Sequence, residues 1–157
     1  MSGHIKDAMG SFTTGVTVVT TRFDGADWGM TCNSFNTVSL DPPMVLWSIR
    51  KESSSHRAFL HSGGFAISIL NSHQKELALR FTRGTHEERF AGTAIERTPD
   101  HRARLANALA WFDCKLVQVV SAGDHDILIG QVLDHGRTEG EGLAYARRTF
   151  GVLAALA

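Results

Sequence analysis

Residues 15–35 read GVTVVTTRFDGADWGMTCNSF, and the strand-rich architecture of the chain can be worked out from them. The part through Arg22 is rich in β-branched side chains, which favour strands. Asp24-Gly25 then occupies a hairpin position, and a second strand-like run follows through Phe35. The stretch therefore predicts a β-hairpin.

Further strand-like runs follow this hairpin along the chain. Pro42 and Pro43 end one segment, because proline lacks a backbone donor and restricts its neighbour. Buried or alternating apolar runs then predict strands at residues 44–49, 65–70, 108–120 and 126–133. A last short segment at residues 143–153 is expected to close the sheet and remove an exposed edge.

Two helices are predicted between these strands. One follows a serine cluster and covers residues 56–61, and the other is opened by Asn71 and Gln74 and continues to about Phe81. Residues 83–107 are polar, charged and irregular, and we interpret them as a solvated surface excursion or, alternatively, a lid or linker.

The order of these elements indicates the fold class. Hairpin-length connections between most strands do not produce the strand–helix alternation of a doubly wound sheet. The pattern favours a mainly β protein, an antiparallel barrel with a few peripheral helices. The length of 157 residues predicts a single domain over residues 1–157.

Composition and charge restrict the function classes. The chain is 43% hydrophobic and 20% charged, as in ordinary globular proteins, and sixteen basic residues balance sixteen acidic ones. No overall field therefore favours nucleic acid or an anionic membrane. The lack of a signal-peptide pattern and of a long apolar run predicts a cytoplasmic protein. Cys32 and Cys114 are far apart, which indicates reduced thiols rather than a disulfide framework or a zinc site.

Three motifs that would indicate other chemistries are incomplete. Residues 10–17 have the glycine spacing of a phosphate-binding loop, but Val16 stands where the lysine is needed and a strand follows. The Asp-His-Asp run at 124–126, with His135 beyond it, offers metal-ligating groups, but strand neighbours point to opposite faces, so no metal site is predicted. No GxSxG elbow supports a serine hydrolase.

Small polar side chains cluster near the end of the predicted hairpin, at residues 29–35 and on into 38–43. Hydroxyl, amide and free backbone N–H groups at a strand end suit a planar heterocycle with acceptor atoms at its edge. The same residue types also form ordinary polar turns, and spacing alone leaves both interpretations open.

The serine cluster at residues 53–55 precedes the first predicted helix. A hydroxyl there is expected to cap the helix, whose first backbone N–H groups otherwise lack partners. Because such helix starts also attract anions, the cluster predicts an anion-binding position.

Several segments occur in the order typical of one family. They are GVTVVTT (15–21), GMTCNSF (29–35), TVSLDPP (37–43), the serine cluster before SGGFAISIL (62–70), Arg-Phe pairs at 80–81 and 89–90, and AGDHDILIGQV (122–132). From about Met9 to Phe150 the sequence resembles the flavin reductase-like domain family, the small NAD(P)H:flavin oxidoreductases that serve two-component flavin-dependent monooxygenases. The resemblance implies an FMN-binding split β-barrel and a homodimer with the flavin near the subunit interface.

The resemblance also implies which residues contact the flavin. Those expected to line its ring and ribityl chain are Thr31, Cys32, Asn33, Ser34, Phe35, Val38 and Ser39. Those expected on its phosphate side are Ser53, Ser54, Ser55, Arg80, Phe81 and Arg89. Cys32 is interpreted as a small residue packed beneath the ring, because no resolving thiol lies nearby in sequence.

For the dinucleotide, the resemblance implies a second group of residues. His125, in a Gly-Asp-His triplet, is expected to position the nicotinamide, and no residue is assigned as acid or base. Tyr145, Arg147 and Phe150 lie in a tail that binds dinucleotide in members of the family. Gly142, Arg148 and Phe150 depart from the usual tail pattern, in which an arginine-glycine pair precedes the second tyrosine.

The implied function is hydride transfer from NADH or NADPH to FMN or FAD, followed by release of reduced flavin to an oxygenase component. Two alternatives stay open: an enzyme that retains its flavin and reduces another small substrate, and a flavin-binding protein without turnover. The sequence does not discriminate FMN from FAD. It does not discriminate NADH from NADPH either, although Arg148 would suit a 2′-phosphate.

Overall fold

The predicted hairpin is present in the computed structural model, which describes residues 2–157. Its strands, Thr17–Phe23 and Ala26–Cys32, are joined through Asp24 and Gly25, which have φ values of 51° and 75°. Such left-handed turns are why Asp-Gly is favoured in two-residue hairpins. The second strand ends at Cys32 rather than at Phe35, so the polar residues that follow it are free to form a loop.

The described residues form four helices and twelve strands. The helices are α1 (Ser2–Gly10), α2 (His56–His61), α3 (Lys75–Arg80) and α4 (His86–Phe90). The strands are β1 (Thr14–Gly15), β2 (Thr17–Phe23), β3 (Ala26–Cys32), β4 (Asn36–Leu40), β5 (Pro43–Arg50), β6 (Gly64–Ile69), β7 (Ile95–Arg97), β8 (Ala103–Leu105), β9 (Ala110–Ala122), β10 (His125–Arg137), β11 (Ala144–Ala146) and β12 (Thr149–Gly151). Within residues 2–157, no helix has the length and apolar character that a membrane crossing requires.

Seven strands form the main sheet, in the order β3-β2-β6-β9-β10-β5-β4. Every neighbouring pair is antiparallel, and the long hairpin of β9 and β10 runs through its middle. The prediction of a mainly β, antiparallel protein is confirmed. The hydrogen-bonded ladder leaves β3 and β4 as edge strands, so the closed barrel that the sequence favours is not confirmed.

The hydrophobic core occupies both faces of the sheet. On β2, Val19 packs with Trp47 and Phe65 in one cluster, whereas its neighbour Val18 packs with Phe81 and Leu105 in a second cluster. Successive side chains of a strand point to opposite faces, so one strand contributes to both clusters. The second cluster is the one that α3 and the β7–β8 hairpin cover.

Residues 83–107 are not the solvated excursion, lid or linker that their composition suggests. They contain α4, which begins with a capping box: Glu88 N donates to Thr85 Oγ1 and Thr85 N donates to Glu88 Oε2, both at 3.1 Å. They also contain the β7–β8 hairpin, where Ala103 and Leu105 are fully buried. Arg102 donates from Nη1 to the buried carboxylate of Asp113 at 2.8 Å, so part of the charge is internal.

The C-terminal segment also differs from the prediction. β11 and β12 do not extend the main sheet but form a separate three-stranded sheet in the order β1-β11-β12. Thr14 pairs with Tyr145, which itself pairs with Phe150. The tail is thereby held against the start of the chain, beside the end of β3.

Candidate functional site

The end of β3 forms one wall of a cleft of about 340 Å³, called here the β3 cleft. Helix α3 and the β11–β12 hairpin form its other walls. Its lining residues are Val16, Thr31, Cys32, Asn33, Ala78, Leu79, Thr82, Tyr145, Arg148 and Phe150. Five of the residues predicted from the sequence, in two distant segments, therefore share one cleft: Thr31, Cys32, Asn33, Tyr145 and Phe150.

Thr31 fastens β3 to helix α3. Its backbone N–H donates to the carbonyl of Phe81 at 3.2 Å, and its hydroxyl donates to the carbonyl of Ala78 at 2.5 Å. Asn33, two residues after Thr31, is exposed, and its side-chain amide makes no hydrogen bond within residues 2–157. Asn33 is thus the polar side chain of this wall that keeps its donors and acceptor for a ligand.

Aromatic rings form the opposite wall of the β3 cleft. Tyr145 and Phe150 lie directly opposite each other in the β11–β12 ladder, with ring centroids 5.0 Å apart. The ammonium group of Lys75 lies 5.8 Å from the centroid of the Phe150 ring. Such a pair provides an apolar surface beside which a planar ring can pack.

Cys32 lies in this wall as a buried thiol. It is 7% exposed, and its Sγ lies 3.0 Å from the hydroxyl of Ser34. Burial raises the pKa of the Cys32 thiol, which keeps it protonated and poorly nucleophilic at neutral pH. Cys114 is also a free, buried thiol, so neither cysteine forms a disulfide.

The other four residues predicted to contact the ring do not line the β3 cleft. Ser34 accepts from Ser48 N at 2.9 Å, and Phe35 stacks on Phe112 with centroids 5.9 Å apart. Ser39 lines a different cleft on β4, and Val38 is 45% exposed beside it. The loop after β3 therefore divides the predicted group between the cleft and the opposite edge of the sheet.

The serine cluster precedes α2 as predicted, but no serine hydroxyl caps the helix. Ser55 occupies the cap position with helical backbone angles, φ −87° and ψ −10°, whereas a capping side chain needs an extended backbone. Its hydroxyl lies instead 2.9 Å from Nε2 of His86, and its backbone N–H donates to Ser53 Oγ at 3.2 Å. The capping prediction is wrong, because the hydroxyl bonds to a side chain outside the helix.

His86 is a functional candidate that sequence reasoning missed. Its Nδ1 accepts from Gly29 N at 3.0 Å, so its ring proton resides on Nε2 and is donated to the Ser55 hydroxyl. Desolvation, followed by the charge of Arg89, lowers the pKa of His86 to about 4, so the ring is neutral at pH 7. Its partners come from β3 and from the serine cluster, and no local sequence pattern connects those segments.

Arg80 and Arg89 line a second cleft, of about 560 Å³ between α3 and α4, called here the α3–α4 cleft. Arg89 donates from Nη1 to the carbonyl of Gly29 at 2.7 Å and from Nε to the carbonyl of Arg83 at 3.0 Å. Arg80 donates to Thr93 Oγ1 at 2.9 Å. Phe81 is fully buried beneath the β3 cleft, where its ring packs in one core cluster with Val16 and Ala78, and its carbonyl accepts from Thr31 N.

His125 lies at the β9–β10 turn and lines neither of these two clefts. Its Nδ1 is 2.7 Å from Asp124 Oδ1, whereas Asp126 pairs with His56 Nε2 at 2.7 Å. The hydrogen bond with His125 lowers the pKa of Asp124. The two His–Asp pairs are separate, and within residues 2–157 no three potential metal ligands converge.

Arg147 lies in a third cleft, of about 480 Å³ between α1 and the β11–β12 hairpin, called here the tail cleft. It also contains Tyr145 and Arg148, which line the β3 cleft as well. The tail cleft and the β3 cleft therefore adjoin along these two side chains.

Sequence comparisons place this site in a known context. Residues 9–154 match the model of the Flavin reductase like domain. The chain is 44% identical over 148 residues to the reductase component of a flavin-dependent trigonelline monooxygenase of Acinetobacter baylyi, covering 94% of this chain and 47% of that protein. It is 41% identical over 150 residues to the FMN reductase (NADH) SmoA of Agrobacterium fabrum, and this match covers 96% of this chain and 85% of SmoA. The chain thus spans about half of the first relative and most of the second.

Structural comparison gives the same result. The NADH:FAD oxidoreductase of Streptomyces globisporus, solved in complex with NAD and FAD fragments, has a TM-score of 0.92 and 30% sequence identity, covering 98% of this chain and 93% of that one. These comparisons confirm the family resemblance predicted from the sequence. The chain belongs to the flavin reductase like domain family.

Proposed function

We propose that this protein is an NAD(P)H-dependent flavin reductase that supplies reduced FMN or FAD to an oxygenase component. The observation that carries the proposal is the β3 cleft, where residues 31–33 face α3 and the aromatic pair of the tail in a chain of this family. Relatives named as reductase components of monooxygenases support an oxygenase partner.

The residues of the β3 cleft fit a flavin ring. A volume of about 340 Å³ lies within the range of small-molecule sites, roughly 300–1,000 Å³. The Tyr145–Phe150 pair offers an apolar surface, and the free amide of Asn33 suits the polar edge of the ring. When bound, the flavin supplies the hydride-accepting chemistry. The chain's own part is to hold the ring and the dinucleotide close together in one orientation.

The serine cluster is proposed to hold the flavin phosphate, with different tasks for its members. Ser54 is exposed and Ser53 partly exposed, so their hydroxyls can reach a ligand. Ser55 is 2% exposed and bonds to His86, so it fixes the loop that presents the other two. Arg80 and Arg89 are proposed to add positive charge on the same side of the ligand.

His125 is proposed to position the incoming dinucleotide. Its ring is 37% exposed at the β9–β10 turn, and its hydrogen bond with Asp124 orients it. We expect His125→Ala to raise KM for the dinucleotide without changing flavin affinity. Unchanged kinetics would remove His125 from the site.

A homodimer is proposed from exposed apolar side chains on β4, β9 and β10. They are Val38 (45% exposed), Leu40 (94%), Val117 (43%), Val119 (40%) and Leu133 (52%). Exposed apolar side chains of this size, when they are grouped, mark association sites. Leu133→Lys should give a monomer in analytical ultracentrifugation, whereas the matched control Leu153→Lys, on an exposed tail residue, should remain a dimer.

The main sheet is proposed to be a split barrel within one domain. Val19, Cys32 and Trp47, from β2, β3 and β5, share a core cluster although β3 and β5 are far apart in the sheet order. Ser34, just after β3, bonds to the backbone of Ser48 on β5 and so links the two sides. We expect Ser34→Ala to speed amide hydrogen exchange at Ser48, and unchanged exchange would oppose this topology.

The function is tested by anaerobic mixing of the protein with FMN or FAD and then NADH or NADPH, while the absorbance of oxidised flavin is followed. We expect rapid loss of that absorbance and reduced flavin in the filtrate after ultrafiltration. Reduced flavin held entirely by the protein would favour an enzyme that keeps its cofactor. Flavin binding without dinucleotide oxidation would favour a binding protein without turnover.

A further inference from the structure

The tail cleft carries an excess of positive charge that the protein itself does not neutralise. Lys6, Arg147 and Arg148 line it, against one carboxylate, Asp7. Throughout residues 2–157, no carboxylate lies within salt-bridge distance of these three cations, and none of their side chains makes a hydrogen bond. Their N–H donors are therefore not used by the fold and are available to a ligand of opposite charge.

Two of the cations, Arg147 and Arg148, lie in left-handed backbone, which is strained for residues other than glycine. Arg147 and Arg148 form the two-residue turn between β11 and β12, with φ values of 49° and 62°. Such turns favour asparagine and glycine, because a β-carbon is disfavoured in left-handed backbone. Arginine at both positions weakens the turn and adds nothing to the core. Strain of this kind is concentrated at functional sites.

The tail cleft also continues into the proposed flavin site. Tyr145 and Arg148 line both clefts, so a ligand whose ring lies in the β3 cleft can extend a charged group past them. Two guanidinium forks and an ammonium group match a dianion better than a monoanion. Phosphate monoesters are dianions near neutral pH, whereas each phosphate of a pyrophosphate linkage carries one charge.

We propose that the tail cleft is a subsite for a phosphate monoester carried by a substrate of the reductase, with Arg147 and Arg148 as its principal ligands. The inference rests on the proposed function, which supplies two sources of this chemistry. One is the 2′-phosphate of NADPH, which leaves the flavin phosphate at the serine cluster. The other is the 5′-phosphate of FMN, which would then lie in the tail cleft in place of the serine cluster. In either case Arg148 determines specificity between a phosphorylated and an unphosphorylated substrate.

The test does not depend on turnover. Calorimetric titration compares NADP+ with NAD+, which differ only in the 2′-phosphate, and FMN with riboflavin, on wild-type protein, Arg148→Gly and the control Arg137→Gln. Arg137 is an exposed arginine whose guanidinium pairs with Glu139 and with no other carboxylate of residues 2–157, so its replacement removes the same charge elsewhere. A lost guanidinium–phosphate pair lowers affinity by about tenfold.

If NADPH is the source, Arg148→Gly should weaken the binding of NADP+ about tenfold and leave the binding of NAD+ unchanged. If FMN is the source, Arg148→Gly should weaken the binding of FMN about tenfold and leave the binding of riboflavin unchanged. Arg148→Lys keeps the charge but loses the two parallel N–H donors of the guanidinium. Its affinity for the phosphorylated probe should therefore lie between the affinities of wild type and Arg148→Gly. Equal affinities of wild type and Arg148→Gly for all four probes would overturn the proposal.

Catalysis separates this proposal from the function on which it rests. If wild-type protein oxidises neither NADH nor NADPH, the reductase assignment fails, but the calorimetric preference can still be measured. If it turns over and Arg148→Gly loses kcat/KM equally with phosphorylated and unphosphorylated substrates, the reductase assignment stands and the phosphate subsite is overturned.

Discussion

The α3–α4 cleft and the tail cleft are both rich in arginine, but they use it differently. In the α3–α4 cleft, Arg89 donates to two backbone carbonyls and Arg80 to a threonine hydroxyl. In the tail cleft, Arg147 and Arg148 have no such partners within residues 2–157. Arginine content therefore does not by itself identify an anion site. The informative quantity is how many of the five N–H donors of each guanidinium the fold already uses.

The largest expected effect is on stability, at Arg89. Replacing it by alanine removes two charge-assisted hydrogen bonds to the carbonyls of Gly29 and Arg83, and about 2 kcal/mol of unfolding free energy should be lost. Arg83→Ala is the matched control, because that guanidinium makes no hydrogen bond or salt bridge in the described chain. We expect the control to change the free energy by less than about 0.5 kcal/mol in urea denaturation. Similar losses for both variants would remove the distinction between committed and free arginines.

The pH dependence of stability should reveal the neutral His86 beside Arg89. The folded pKa of about 4 lies below the ordinary value of 6.5, so the unfolded chain binds the proton more readily. Stability from this group is complete above about pH 6.5 and is lost as the pH falls towards 4. The ring is only half-buried, so solvent screening limits the loss to on the order of 1–2 kcal/mol.

His86→Asn provides the comparison for this effect, because asparagine does not titrate. Urea unfolding of both proteins between pH 7.5 and pH 4.5 should show a steeper decline for the wild type. Parallel curves would mean that His86 titrates normally in the folded protein.

A smaller effect is expected in the β3 cleft, where the contrast is between two neighbouring residues. Asn33→Ala should weaken flavin binding about fivefold and leave the free energy of unfolding unchanged, because the Asn33 amide makes no hydrogen bond to the described residues. Ser34→Ala should lower the free energy of unfolding and leave flavin binding unchanged, because the Ser34 hydroxyl accepts from Ser48 N at 2.9 Å. Fluorescence titration of flavin and thermal unfolding measure the two effects. Loss of stability in Asn33→Ala would contradict its assignment as a free group.

The smallest expected effect is a gain at the strained tail turn. Glycine accepts the φ of 62° at position 148 without steric cost, so Arg148→Gly should raise the unfolding free energy by about 0.5–1 kcal/mol. Arg89→Gly should lower it. A destabilised Arg148→Gly would show that this arginine, like Arg89, supports the fold.

Local signals in the sequence predict much of the fold, but the failures have identifiable physical causes. Asp24-Gly25 correctly predicts the first hairpin, because turn chemistry is local. Helix α4 was missed although Thr85 and Glu88 have capping-box spacing, because the surrounding charge suggested a loop. The burial of Ala103 and Leu105 is hidden in the sequence by the same surrounding charge. No local signal indicates that one of these charged neighbours, Arg102, pairs with the buried Asp113.

The candidate site shows the same division between local signals, which the sequence reveals, and tertiary contacts, which it does not. Residues 31–33 stand out in the sequence because small polar side chains cluster at the end of the predicted hairpin, and the resemblance assigns them, together with Tyr145 and Phe150, to ligand contacts. His86 could not be selected, because its partners Gly29 and Ser55 belong to segments that only the tertiary fold brings together. The serine cluster predicts a capping hydroxyl because the backbone angles of Ser55, which prevent capping, cannot be read from the sequence.

Hydrogen–deuterium exchange with and without FMN tests the central claim, that the β3 cleft holds the flavin ring. At a concentration where flavin fluorescence shows binding, peptides containing residues 31–33, helix α3 and the β11–β12 hairpin should exchange more slowly. The exposed edge of β4 should be unaffected, unless FMN also changes the association of subunits, which ultracentrifugation of the same samples detects. Slower exchange at β4 alone, with none in the three walls of the β3 cleft, would contradict the account.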